Sequence, residues 1–151
     1  MSLLLSDHIT ELELAVDLDK LFMEYKHFIE PNLTPNNNNT HLSTFVDLQD
    51  TKFANSYLAT VSHRVYQRFQ FSRIAVRVLA PLSSYKWHSD EGFDCCVHLP
   101  LVSNNGCFFI FENVNYRLIP NGNAYLMHLN QQKHTFLNSG EQHRIHIIYE
   151  Q

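Results

Sequence analysis

His88 and Asp90 stand two residues apart in Trp87-His88-Ser89-Asp90. Residues two apart on an extended strand point to the same face, so a single strand presents an imidazole and a carboxylate side by side near its end. With one histidine from a distant strand they make the two-His, one-carboxylate facial set, which leaves three adjacent metal positions open and suits Fe(II) oxygen chemistry. His134 is the candidate third ligand. Arg144 follows ten residues later, across Ser139-Gly140, where its planar fork can pair bidentately with a carboxylate. A keto-acid cosubstrate needs such an anchor.

These side chains must be carried by strands. From Arg73 onward the sequence breaks into short period-two segments separated by turn residues. They predict eight strands, near Arg73–Leu79, Tyr85–Asp90, Cys95–Leu101, Cys107–Glu112, Tyr116–Ile119, Ala124–Asn130, His134–Asn138 and His143–Glu150. Eight strands at this spacing fit a jelly roll or a related cupin-like barrel, with an immunoglobulin-type sandwich as the alternative. In the N-terminal half, Glu11–Val16 alternates as a strand does. From Leu18 the apolar residues recur at helical spacing through Ile29, with Asp17 as cap and Pro31 and Pro35 as stops. Phe53, Tyr57, Val61, Val65 and Phe69 step by four along a second helix. The two helices are expected to cover one outer face of a mainly β domain spanning residues 1–151. Pro31–Thr40, with four consecutive asparagines, reads as exposed linker.

The stretch from about Arg73 to Glu150 resembles the aspartyl/asparaginyl β-hydroxylase family of Fe(II)/2-oxoglutarate dioxygenases, and through it the free proline hydroxylases. Four blocks carry the resemblance: His88-Ser89-Asp90, Val97 to Asn104, Gly122 to Asn130, and His134 to Gly140 running on through Arg144-Ile145-His146. The resemblance implies a double-stranded β-helix, Fe(II) on His88, Asp90 and His134, and the 5-carboxylate of 2-oxoglutarate on Arg144. It also implies a cosubstrate or supporting role for His98. The implied substrate is an amino acid, free or within a peptide, hydroxylated with molecular oxygen. The chain departs from the family at Cys96, two residues before His98, where an arginine is usual. Arg77 either replaces that charge or is a solvated strand residue.

Composition narrows the rest. Eleven basic against fifteen acidic residues give a net charge of −4, which offers no basic footprint for nucleic acid. No apolar run reaches the length of a bilayer span, and Asp7 interrupts the N-terminal leucines, so a cytoplasmic protein without membrane association is expected. Cys95, Cys96 and Cys107 read as reduced, buried strand residues. Six of the ten histidines fall within the last 64 residues. Of these, His146 shares strand parity with Arg144 and either lines the same cavity or is a satisfied core histidine, while His128 and His143 read as structural. Tyr85 and Trp87 are wall candidates or packing residues. Two other function classes stay open on the residues alone: a cupin-like zinc or manganese isomerase or hydrolase using the same triad, and a non-catalytic jelly-roll interaction module.

Overall fold

A computed structural model describes residues 2–35, 41–92 and 94–151, with side chains from Ser6 on. The chain opens with a hairpin of β1 (Ser2–Ser6) and β2 (Ile9–Leu12). Helix α1 (Leu18–Glu24) begins where Asp17 accepts from the Lys20 N–H at 3.1 Å. It then widens into a π-turn at Tyr25–Ile29 and tightens into a 3-10 turn at Glu30–Asn32, where Pro31 has no N–H with which to continue an α-helix. β3 (Thr34–Pro35) pairs with β4 (His41–Val46). Residues 36–40, which hold most of the Asn-rich stretch, lie outside the described residues.

Ser56 caps α2 (Tyr57–Tyr66) by accepting from Ala59 N–H. A second acceptor comes from the other helix: Glu24 takes the Tyr57 and Leu58 N–H groups at 2.6 and 2.8 Å. A carboxylate at a helix N-terminus satisfies orphan amides and favours the positive end of the dipole, so the end of α1 is tied to the start of α2.

The strands that follow are β5 (Arg73–Leu79), β6 (Ser83–Ser84), β7 (Cys95–Val102), β8 (Cys107–Phe111), β9 (Asn115–Tyr116), β10 (Ala124–His128), β11 (His134–Asn138) and β12 (Arg144–Glu150). One sheet has the order β1-β2-β10-β7-β12-β5-β4-β3 and the other β6-β11-β8-β9. From β5 on, the chain winds between the two sheets, with β5, β7, β10 and β12 in the large one and β6, β8, β9 and β11 in the small one, antiparallel throughout. That winding is the double-stranded β-helix expected from the sequence.

Period two sorts the side chains of the large sheet. Ile74, Val76, Val78, Val97, Leu99, Ile145, Ile147 and Tyr149 face outward and form one core with Leu21, Tyr25, Leu58, Val61 and Val65 of the helices. Ala75, Leu79, Cys96, Tyr125, Met127 and Ile148 face inward, against Phe109, Phe111 and Phe136 of the small sheet. The helices therefore cover one face, and the other face is left to build a site.

Three expectations are corrected in detail. The alternating N-terminal segment is β2, four residues earlier than Val16 requires, and β1, β3 and β4 carry no clear alternation in sequence. The second helix starts at Tyr57, with Phe53 in a separate 3-10 turn. Tyr85–Asp90 is not a continuous strand: β6 ends at Ser84, and beyond it the segment meets β11 through separate contacts, the Tyr85 N–H on the Phe136 carbonyl at 2.9 Å and the His88–His134 bridge.

Candidate metal centre

His134 starts β11, and its backbone exchanges both hydrogen bonds with His88: His88 N to His134 O at 3.0 Å and His134 N to His88 O at 2.8 Å. This one bridge brings the two rings to 4.4 Å between centroids. Asp90 completes the group, with Oδ1 3.6 Å from His88 Nε2 and Oδ2 3.3 Å from His134 Nε2. One donor atom from each residue lies within 4.8 Å of the others.

The orientation of the rings is set by main chain. His88 Nδ1 is 2.9 Å from the Lys86 carbonyl, and His134 Nδ1 is 3.0 Å from the Gln132 carbonyl. A carbonyl can only accept, so each neutral ring carries its hydrogen on Nδ1 and leaves a lone pair on Nε2. Such contacts are the outer-shell pattern of metal-bound histidine. Two lone pairs and a carboxylate thus converge, an arrangement that a divalent cation resolves. Burial lowers the His88 pKa, against the opposing pull of the Lys86 carbonyl. Burial also raises that of Asp90, but His134 above all, with His88 and Arg77, outweighs it and holds the carboxyl below its ordinary value. Both shifts favour the metal-binding protonation states at neutral pH.

The Gln132 carbonyl is delivered by a sharp turn. Asn130 and Gln131 both adopt positive φ, 47° and 59°, and the amides of Leu129 and Asn130 both donate to the Asp94 carbonyl, at 2.7 and 3.1 Å.

The triad stands at a cavity of about 110 Å³, whose walls include Phe109, Leu129, Phe136 and Ile148. His98 lines it, and its Nδ1 lies 3.2 Å from Nδ1 of His146, which is buried behind it. Burial, followed by the charge of Arg144, holds both histidines well below their ordinary range. Arg144 is 2% exposed and is not on the cavity wall; its guanidinium lies 4.8 Å over the ring of Phe136, which is. No carboxylate pairs with it among the described residues, and burial brings its pKa down to about 10.

Arg77 reaches the cavity wall rather than solvent and pairs with Glu150 Oε1 at 3.2 Å. Glu150 also holds Arg73, at 2.6 Å. The positive charge missing at Cys96, itself a wall residue, is therefore present on β5 but already matched. Tyr85 lines the cavity, stacked on Phe136 at 4.9 Å, whereas Trp87 is half-exposed. His128 bonds Thr10 and Cys95 away from the site, and His143 is exposed.

Two wall residues escape sequence reasoning. Glu150 shares the parity of Arg144 and His146, which was a usable signal. His41 comes from β4 and had none.

No protein-family model matches the chain, and no curated protein matches its sequence. Solved structures do match. A prolyl-4-hydroxylase of Pseudomonas putida aligns with a TM-score of 0.62 at 15% identity, over 96% of this chain and 94% of that one. The viral collagen prolyl hydroxylase of Paramecium bursaria Chlorella virus-1, in its 2-oxoglutarate complex, gives 0.66 at 11%, over 95% and 94%. An oxidoreductase of the 2OG-Fe(II) oxygenase family from Burkholderia pseudomallei gives 0.58 at 11%, over 94% and 84%. What is shared is the fold. It is a jelly roll, matched over almost the whole chain.

Proposed function

We propose that the protein is an Fe(II)- and 2-oxoglutarate-dependent dioxygenase that hydroxylates an amino acid, free or within a peptide. The observation that carries the reading is the triad, with each imidazole locked by a backbone carbonyl so that Nε2 faces the Asp90 carboxylate. Its donor set suits Fe(II) with open positions, and its place in the jelly roll supports the same choice. His88, Asp90 and His134 would hold the iron. Arg144, a buried cation without an acidic partner, would take the distal carboxylate of 2-oxoglutarate, with His98 near the same end of the cavity.

When bound, iron and 2-oxoglutarate together supply a two-electron oxidant that puts one atom of O2 into a C–H bond, with succinate and CO2 as coproducts. The chain's own contribution is positional. Nδ1 of each histidine keeps its proton on a carbonyl, which fixes the ring and turns the Nε2 lone pair toward Asp90. Phe109, Leu129, Phe136 and Ile148 keep water from the reacting centre. Arg77 and Glu150 are ion-paired on one wall, and a substrate with both an ammonium and a carboxylate can meet them by exchanging partners with the pair; on that ground we favour a free amino acid. The sequence blocks support a proline, aspartate or asparagine type, and the prolyl hydroxylases among the fold relatives support proline alone.

Anaerobic addition of 2-oxoglutarate to the Fe(II)-loaded protein should produce a weak visible charge-transfer band. Its absence would return the site to the zinc or manganese reading. A panel of free amino acids and of Pro-, Asp- and Asn-containing peptides, scored for a mass gain of one oxygen, tests the substrate. Gain on peptides alone would overturn the free-amino-acid preference.

A further inference from the structure

His41 is 2% exposed and lines the cavity, yet neither ring nitrogen has a hydrogen-bond partner among the described residues. Burying an imidazole with both nitrogens unmet is costly. Burial, with the charges of Arg77, Arg144 and His88, brings its pKa down to about 4, so it is neutral at pH 7 and has one N–H to donate.

Its place in the register gives it a neighbour. β5 has β4 on one side and β12 on the other, and Leu79 is paired with His41 across one edge and with Arg144 across the other. Directly opposed residues share a face, so His41 and Arg144 both rise from the inner face in a single row, two strand spacings or about 9–10 Å apart at the backbone. Both lean onto Phe136: the imidazole centroid is 5.8 Å from that ring and the guanidinium carbon 4.8 Å from it. Tyr85 closes the group, 4.8 Å from His41. The row thus holds one buried cation without an acidic partner and one buried N–H without an acceptor.

We propose that His41 is a binding residue for the distal carboxylate of the cosubstrate, donating to one carboxylate oxygen while Arg144 takes the other. This rests on the 2-oxoglutarate reading above and extends it to a strand outside the eight of the jelly roll. Because Arg144 lies behind the Phe136 ring, the proposal requires that ring to move from its stack on Tyr85. β4 thereby becomes part of the site rather than an appendage to the sheet.

Calorimetric titration of the full chain loaded with Mn(II) tests this, with 2-oxoglutarate and with pyruvate, which keeps the keto-acid end and lacks the distal carboxylate. His41→Phe preserves the aromatic packing and removes the donor. It should weaken 2-oxoglutarate about 10–100-fold, the usual cost of a hydrogen bond to a charged group, and leave pyruvate unchanged. His41→Gln, which can still donate, should fall between parent and His41→Phe. If His41→Phe binds 2-oxoglutarate as the parent does while Arg144→Met does not, His41 is removed from the subsite and the cosubstrate reading stands. Equal loss for both ligands makes the effect structural and overturns the proposal. A parent that binds no 2-oxoglutarate overturns the cosubstrate reading and this proposal together.

Discussion

Replacing Arg144 with Met should make the ligand-free protein more stable. The guanidinium is held at about 10 instead of 12.5, and at about 1.4 kcal/mol per tenfold change this places the buried charge about 3 kcal/mol above one in water. The sign follows from the direction. The folded pKa lies below the unfolded one, so the cost is fully present at neutral pH and disappears only as pH rises past 10 toward 12.5. The stacking on Phe136 returns up to about 2 kcal/mol, and methionine fills similar apolar space without it. The net gain expected for Arg144→Met is therefore about 1–3 kcal/mol, or roughly 2–10 °C in Tm for a chain of this size. The same substitution should weaken the response to ligand. At a hundredfold excess over the parent Kd, 2-oxoglutarate should stabilise the Mn(II)-loaded parent by about 2.7 kcal/mol, and the variant, with affinity lowered about 10–100-fold, by about 1 kcal/mol or less. Thermal melts of both proteins with and without ligand read both effects. A variant that melts lower than the parent, or that gains as much stability from 2-oxoglutarate as the parent does, refutes the idea of an unpartnered cation awaiting a carboxylate.

Alanine at His88, Asp90 or His134 should lower metal affinity by at least the 10–100-fold that loss of an outer-shell partner costs and end 2-oxoglutarate turnover, with circular dichroism unchanged; wild-type metal content in His134→Ala would exclude it as a ligand. Stability should fall on acidification below pH 6.5, because His41, His98 and His146 are held below their ordinary pKa by burial and must take up protons on unfolding. His41, with its folded pKa at about 4, should contribute about 1.4 kcal/mol per pH unit near pH 5, so His41→Phe should flatten the slope by about that amount; urea midpoints across pH 7 to 4.5 measure this. Asn138, wholly buried, donates to the Leu79, Ala80 and Gln142 carbonyls and accepts from Asn104 and the Gly140 amide. Asn138→Ala should cost at least about 3 kcal/mol by leaving several of these groups unmet, seen as a lower urea midpoint.

The triad was legible because its logic is local: two residues at strand parity and a third at the head of another period-two segment. The same parity gave the sheet faces from β5 to β12, and the caps gave the start of α1. His41 was invisible for a physical reason. In His41-Leu42-Ser43-Thr44-Phe45-Val46, Phe45 is 59% exposed at the far end of the inner face, and its ring meets Arg73 rather than the core. A strand next to the sheet edge, whose inner face is covered at only one end, leaves a weak apolar alternation. Tyr85–Asp90 misled in the opposite way. Its alternation reflects side chains directed into a cavity by single backbone contacts, at Tyr85 and His88, and no continuous ladder underlies it. Arg144 could be singled out from its spacing, but its setting behind Phe136 depends on which ring the small sheet places there.

The paired left-handed residues before β11 bear on how this chain can change over generations. L-residues in that conformation each cost about 1–2 kcal/mol, with asparagine penalised least, so Gln131 holds energy that a glycine would release. Drift toward glycine would be rewarded wherever selection acts on abundance alone. The same drift would slacken the Gln132 carbonyl that fixes the His134 ring, and metal would be held less firmly by a more durable protein. Selection for durability and selection for a firmly held His134 ring therefore meet in opposition at one peptide.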